Sequence, residues 1–496
     1  MNERIGRNVS ERVVISGLLV LETPAHFGNG DPATLTDMTL ARDPLDRSLA
    51  LLTGASVAGA LRAYLREYAG GYGADGDDLS EQLFGKIEGN FSHQSWLMVD
   101  DALSCPVDSQ LATPGGYAPV SVELRDGVSI HAATRTAEDG KKYDVELLQA
   151  GTTFRLGFEL LLTKNNANLL AALAIALRGL QAGEIGLGQR KRRGFGQCRV
   201  TQWHVRRYNL GTPQGLIGWL DDDLAVGKPG KDIMALLDLK GKTLPTEDRR
   251  ATFTIDATFA VPGSLLIRSG AGAPGEPDMV HLRSRRGEAE APILSGTSLA
   301  GAIRGRALRI ANTIWPQDAD QASYLIDETF GRRIEKHTDA PSGSRLIVRE
   351  SELEGTRALV QNRVKLDRFT GGSYPQALFS QEPAIGGADA TVNIVLTLRQ
   401  RVTDPEPLRK AQIGLLLLIL KDLWTGDLPV GGESSVGRGR LAGRNAKLIL
   451  QQGKDETTWQ LEQTKTGLNA TPIELEDYVK ALWAYQMPKK QRKEAK

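Results

Sequence analysis

The chain predicts an α+β protein made of one unit used twice. Three observations lead there: its length, a set of segments that recur in order, and the same alternation of strand and helix in each copy. At 496 residues it exceeds what one hydrophobic core usually serves, so two domains of about 200 residues are expected.

The recurrence is collinear. "DMTLAR" (37–42) and "DMVHLR" (278–283) share the frame Asp-Met-x-x-x-Arg. "TGASVAGALR" (53–62) matches "SGTSLAGAIR" (295–304) without a gap, and "LFG" (83–85) echoes "TFG" (329–331). "YDVELLQAG" (143–151) lies over "FSQEPAIGG" (379–387), and "GQRKRRGFG" (188–196) over "GGESSVGRG" (431–439). Five segments keep one order with offsets between 236 and 246, the mark of a duplication.

Each copy opens on a strand, "RVVISGLLVL" or "ATFTIDATFA", rich in β-branched and apolar residues. A Gly- and Asp-rich loop with Asp37 or Asp278 follows, then a helix starting at "GAS" or "GTS", with Ser56 or Ser298 as the expected cap. The middle reads as strands and an irregular insertion, "HAATRTAEDGKKYDVELL" or "LDRFTGGSYPQALFSQEP". A second helix, "NLLAALAIALRGL" or "PLRKAQIGLLLLILKDLW", leads into a glycine-rich loop and a final strand. Strand, helix, strands, helix, strand is the pattern of a ferredoxin-like α+β sandwich. The expected boundaries are 1–209 and 250–450 for the two domains, with a partly ordered linker over 210–249. Residues 451–496 form a C-terminal extension. Its helix is expected from "TPIE", with Thr471 as N-cap, Pro472 in the first turn and Glu474 closing a capping box, before the basic tail "PKKQRKEAK".

Composition narrows the function. Hydrophobic content of 41% and charged content of 24% describe an ordinary globular protein, and 54 glycines point to many turns or backbone-contact loops. A net charge of +1 gives no global basic field, so a nucleic-acid site must be a local stripe. Cys105 and Cys198 are too few for a metal cluster and read as reduced thiols. The N-terminus has no apolar signal core, and the longest apolar run, 413–420, is too short to span a bilayer. A cytoplasmic protein with no membrane partner is expected.

"GLGQRKRRGFGQCRV" concentrates Gly186, Gly188, Gly194 and Gly196 around Arg190, Lys191, Arg192 and Arg193, with Phe195 inside the loop. Glycine lets a backbone approach another polymer, and arginine forks grip phosphates. The loop follows a helix and enters a strand, the reverse of a dinucleotide fingerprint, and no G-x-x-x-x-G-K-[ST] is present. In the second copy Gly432, Ser434, Ser435 and Arg438 remain, and main-chain amides and hydroxyls are the phosphate donors available. The helix starts place Gly54, Ser56 and Arg62, and Gly296, Ser298 and Arg304, where an anion can approach; small residues equally serve tight packing. Asp37 and Asp278 follow the first strand of each copy. A carboxylate beside a phosphodiester either holds a divalent cation or takes part in proton transfer, whereas an isolated one is ordinarily a turn residue. The six histidines show no metal-ligand spacing. His281 faces Leu40 in the alignment of the copies and His26 faces Ile267, so no histidine acid–base is common to both.

The G-x-S-[VL]-A-G-A-[LI]-R helix start and the terminal glycine loop resemble RAMP-superfamily proteins, and both copies resemble the repeating backbone subunit of type III CRISPR effector complexes. "LDRFTGGSYPQALFSQEP" (366–383), with Arg368, is similar to that family's insertion. "IHAATRTAEDGKKYDVELL" (130–148) keeps Thr134, Ala137, Gly140, Tyr143 and Glu146 but has His131-Ala132 in place of Asp-Arg. The resemblance implies two tandem RRM-like palms, each with a thumb-like insertion that kinks a guide–target duplex. The glycine loop and helix start would bind guide RNA. The loop aspartates, Asp37 and Asp278, would lie where the target's 2′-hydroxyl attacks its own phosphate with a divalent ion, Mg²⁺, assisting. The family's helix-start lysine is Ala58 or Ala300 here. Two units in one chain resemble the III-D-like and single-chain effectors, with guide RNA, complementary target RNA and other effector subunits as partners. Two other readings keep the fold: a non-catalytic guide-RNA scaffold, or a stand-alone RAMP endoribonuclease that processes guide precursors.

Overall fold

A computed structural model describes residues 8–30, 38–76, 78–88, 91–113, 115–131, 134, 136–222, 227–269, 277–287, 289–332, 342–464, 467–470 and 474–488. The chain divides into two compact units. The first comprises residues 1–124, 145–191 and 195–250; the second comprises 125–144, 192–194 and 251–496.

In the first unit the main antiparallel strands lie in the order Cys198–Asn209, Glu11–Leu21, Thr153–Leu162, then Leu97–Val99 and Ala102–Cys105. By position in the chain this is fourth, first, third, second, the ferredoxin-like arrangement that the sequence predicts. Val13, Ile15, Leu19 and Leu21 alternate along the opening strand and are buried on one face, as a period of two requires. Helices α1 (Gly54–Gly70) and α3 (Asn168–Gln181) cover that face, and α2 (Asp78–Phe84) packs beside them. Leu61, Leu65, Leu173 and Leu177 are fully buried there, each contributing roughly 1.5–3 kcal/mol.

The stretch 210–249, expected as a linker, is folded into this unit. Helix α4 (Pro213–Asp221) rests on the last strand, Lys228–Gly230 adds an edge strand beside it, and α5 (Ile233–Leu236) inserts Ile233 into the core. Its mixed composition conceals a few well-spaced anchors, Ile233 and Leu237 among them.

The second unit repeats the order with Ala442–Gln452, Ala251–Ala260, Thr391–Gln400, then Leu346–Val348 and Ser351–Glu354. Helices α6 (Gly296–Ile314), α7 (Ala319–Phe330) and α8 (Glu406–Trp424) cover it. The expected C-terminal extension is integrated as well: Asp455–Thr464 and Gly467–Ala470 prolong the sheet. Helix α9 (Glu474–Ala484) lies against α8, where a Cβ on Gly414 would meet the Tyr478 carbonyl oxygen at 2.2 Å. Thr471 and Pro472, the expected helix start, lie outside the described residues.

The duplication extends to irregularities. A β-bulge interrupts the pairing between Leu18 and Leu19 and again between Thr258 and Phe259, 240 residues on. Met38 bridges Val145 in parallel, and Met279 bridges Gln381 in the same sense. Thr53 caps α1 by accepting from the Ser56 amide (3.3 Å), and Ser295 caps α6 by accepting from the Ser298 amide (3.2 Å). The caps therefore stand three residues before the serines expected to fill that role. Ser56 and Ser298 instead occupy the third helical position, where their amides are among those a cap satisfies.

Within the second unit, segment 125–144 brings Arg125 to Glu350, whose side chain is fully buried. Both Glu350 oxygens accept from Arg125, and Oε1 also accepts from Arg286, so the buried carboxylate is fully engaged.

Candidate nucleic-acid interface

The glycine loops have one backbone shape despite opposite chemistry. Gly188 and Gly431 have φ of 82° and 81°, Gly194 and Gly437 have 91° and 89°, and Gly196 and Gly439 have 67° and 76°. Arg190 and Glu433, at the same place, both adopt the left-handed conformation, with φ of 53° and 59°. A 3₁₀ turn follows in each, Lys191–Arg193 and Ser434–Val436. The requirement for glycine is steric at the last position. A Cβ on Gly196 would lie 1.8 Å from the Leu187 carbonyl oxygen, and one on Gly439 would lie 1.9 Å from that of Val430.

In the first unit this loop lies beside the start of α1. Thr53, Ala55, Ser56, Gly59 and Ala60 face Gly186–Gln189 and Lys191 across a groove of about 420 Å³, with His26, Phe27 and Gly28 at one wall. Two motifs about 130 residues apart in sequence thus form one concave surface. Ser56 and Lys191 are exposed on it, Gly188 and Arg62 are half-buried, and Arg193, assigned to the second unit, is exposed. A helix N-terminus and a lysine on one groove favour an anion.

Several residues expected to touch RNA are turned to other work. Gly54 donates its amide to the Asp101 carboxylate (2.7 Å) and is buried. Phe195 is only 3% exposed, so it packs rather than stacks on a base. Arg190 directs Nη2 to the Met38 sulfur at 3.8 Å, and Arg192 donates to the Ser344 carbonyl within the second unit. Arg304 donates to the carbonyls of Phe330 (3.3 Å) and Gly331 (2.6 Å) and pairs with Asp327 (3.2 Å), closing the end of α7.

Arg438 is 3% exposed and donates to Glu433 (2.8 Å), Gln361 (2.7 Å), Gln381 (3.1 Å) and Ser264 (3.2 Å). Burial alone would raise the Glu433 carboxyl, but the Gln381 amide, Arg363 at 3.2 Å and Arg438 together hold it below the usual carboxylate range. Gly296 is buried, Ser298, Gly432 and Ser434 are half-buried, and Ser435 is exposed; the Gly432 amide is donated to the Leu266 carbonyl (2.8 Å).

Asp37 lies outside the described residues. Asp278 is exposed, and its Oδ2 accepts from the Ser380 amide (2.7 Å) and hydroxyl (3.1 Å), while its own amide donates to that hydroxyl (3.0 Å). Those bonds, the Ser380 amide foremost, hold its carboxyl below the ordinary range, so it is ionised at neutral pH. Among the described residues no group of three or more His, Cys, Asp or Glu is placed to hold a metal ion. Asp278 fits the role of a single protein ligand to a Mg²⁺ whose other ligands come from phosphate and water.

The insertion of the second copy is a hairpin, Gln361–Leu366 against Ser373–Glu382, and Arg368 is exposed at its tip. Phe369 beside it is 99% exposed, held out by a turn in which Asp367 accepts from the Phe369 and Thr370 amides (both 2.8 Å). The first copy's insertion is likewise a hairpin, Val122–Ile130 with Ala137–Leu148.

One further repeat went unread in the sequence: "SWLMVDD" (95–101) and "SRLIVRE" (344–350), 249 apart. Ser95 donates to the Leu97 carbonyl (2.6 Å) and Ser344 to that of Leu346 (2.8 Å), and the two stretches end on Asp101 and Glu350. This duplicated acidic position anchors the Gly54 amide in one copy and the arginine pair in the other.

His281 is a core residue whose Nδ1 accepts from the Ile267 amide (3.2 Å) and whose Nε2 donates to the Ile293 carbonyl (3.0 Å), and burial pushes its pKa down to about 4. It is neutral in the fold and takes a proton more readily when unfolded, so its contribution is complete above the unfolded pKa of about 6.5. We expect stability to fall by roughly 3 kcal/mol as pH drops from about 6.5 to 4. Denaturant melts of wild type and His281→Leu across that range check this: the variant should lose less over the interval.

A second hollow, about 570 Å³, lies on the opposite face of the first sheet. Its arginines are satisfied within the protein, Arg206 by Asp222 at 2.5 Å and Arg155 by the Leu111 (2.8 Å) and Thr113 (2.7 Å) carbonyls. No described helix is long and apolar enough to cross a membrane.

No curated protein matches the chain in sequence. The family model of the RAMP superfamily, a family of CRISPR-associated RNA-binding proteins, matches residues 18–199 and again 258–442, each match spanning one repeat from opening strand to glycine loop. With both repeats matched and both folded on the same strand order, the chain belongs to the RAMP superfamily.

Proposed function

We propose that the protein is a tandem backbone subunit of a type III, III-D-like CRISPR effector, which holds guide RNA and cuts complementary target RNA once per repeat. The groove between the start of α1 and the glycine loop carries this reading: it unites a helix N-terminus, small residues and Lys191 on one surface of the first unit. Such a surface takes a sugar–phosphate backbone without reading its bases, leaving sequence to pairing. Other effector subunits and a cytoplasmic setting follow from the same reading.

For cleavage, the target's 2′-oxygen attacks the adjacent phosphorus as the bond to the 5′-oxygen breaks. The products are a 2′,3′-cyclic phosphate and a 5′-hydroxyl, the proton passing through solvent. Asp278 is a poor base, since its carboxyl is held below the usual range, and a good electrostatic or ligand group. A divalent cation bound at each repeat, Mg²⁺ in this reading, would supply charge neutralisation at the phosphate, with Asp37 as its protein ligand in the first copy and Asp278 in the second.

A scaffold without cleavage is the second reading, favoured by the clasp between Asp278 and Ser380, which a structural turn residue would also make. With guide, complementary RNA and Mg²⁺, Asp37→Ala and Asp278→Ala should each abolish one distinct product band. Unchanged bands in both variants would leave the scaffold standing.

A further inference from the structure

The two copies differ at the wall of the groove. The His26 carbonyl accepts from the Gln189 amide at 3.0 Å, just as the Leu266 carbonyl accepts from the Gly432 amide at 2.8 Å. The structural counterpart of His26 is therefore Leu266, one residue before the Ile267 that the sequence alignment pairs with it. Leucine has no nitrogen to offer, so whatever the His26 ring does belongs to the first copy alone.

The ring is held in one orientation. His26 is only 2% exposed, and Nδ1 lies 2.8 Å from the Glu146 carbonyl oxygen, an atom that can only accept. Nδ1 therefore carries a proton, and Nε2 is the nitrogen left to meet a ligand. Among the described residues no hydrogen bond engages Nε2. It lies under Gly28, where a Cβ would come within 2.8 Å of it, at the wall of the groove that also holds the start of α1 and Lys191.

We propose that His26 is an RNA-backbone contact of the first groove, its Nε2 donating to a phosphate oxygen when protonated, so that RNA binding there is proton-linked and binding at the second loop is not. This rests on the groove being an RNA site.

The charged groups around the ring fit that role. The Glu146 carboxylate is committed to the Leu40 amide (3.2 Å) and Arg42 (3.6 Å), and Arg190 is turned to Met38. Lys191 stands on the same groove. A phosphate between the α1 N-terminus and Lys191 adds a negative charge beside the ring and favours the imidazolium in the complex. Uptake of one proton on binding tightens the complex as pH falls.

The test measures affinity of the full chain for a fluorescein-labelled single-stranded RNA of guide length at about pH 8 and about pH 6, in wild type, His26→Leu and His26→Gln. Leucine reproduces the second copy, glutamine keeps polarity without titration, and thermal melts confirm that both variants fold. Wild type should bind about three- to tenfold tighter at the lower pH, and both variants should change by less than about twofold. Variants that keep the wild-type slope overturn the role of His26 while leaving the groove intact. A wild type that binds no RNA at either pH removes the RNA reading itself.

Discussion

Replacing Arg438 by leucine lowers the stability of the second unit by about 3–5 kcal/mol and releases its glycine loop. Arg438 joins Glu433, Gln361, Gln381 and Ser264, and it is almost wholly buried. Leucine fills part of the volume but leaves the Gln381 and Gln361 oxygens without that donor, and it removes one of the guanidinium partners that hold the Glu433 carboxyl down against the upward pull of burial. An acceptor stranded in the interior costs its full desolvation, which is more than the bond contributed when made. Denaturant unfolding followed with hydrogen exchange over 431–439 measures both effects. A loss below about 1 kcal/mol with the loop amides still protected would show that the network is incidental.

Reversing the charge of Lys191 acts on the other copy and on another quantity. Lys191→Glu should weaken binding of guide-length RNA by about tenfold or more at low salt, and reduce the slope of log K against log salt by about 1. Lys191 is exposed, so its replacement leaves the packing of the loop in place; it lines the groove directly, so a carboxylate there meets the phosphate it is meant to repel. Stability should move by no more than about 0.5 kcal/mol, as for surface substitutions generally. Equal affinity in wild type and variant across a salt titration would remove RNA from this groove.

The two variants show how one loop shape carries two chemistries. Arg190 and Glu433 hold the same left-handed backbone, yet the glutamate is clamped by an internal ring of donors while its counterpart reaches a sulfur. That difference was only half legible in the sequence. The collinear segments and alternating apolar positions foretold two copies and the type of sheet, because glycine and β-branched residues constrain the backbone locally. Apart from Glu433, the partners of Arg438, Arg304 and Gly54 come from strands and helix ends remote in sequence, so no local pattern announces that these residues face inward.

The same limit hid the fate of 210–249. A handful of anchors such as Ile233 seat that stretch on the first unit, too few to shift its composition. "SWLMVDD" and "SRLIVRE" were readable, but they share only Ser, Leu, Val and a final acid, and their importance lies in what that acid accepts. No histidine stands opposite His26, so the sequence gives it no role common to both copies. The structure turns that asymmetry into the distinguishing feature of the first groove.

Photo-crosslinking tests the central claim most directly. A guide-length RNA carrying 4-thiouridine, bound to the full chain, irradiated and mapped by mass spectrometry, should mark peptides containing residues 53–60 and 186–191. Crosslinks confined to other surfaces, such as the opposite face of the first sheet around Arg155 and Trp219, would contradict it.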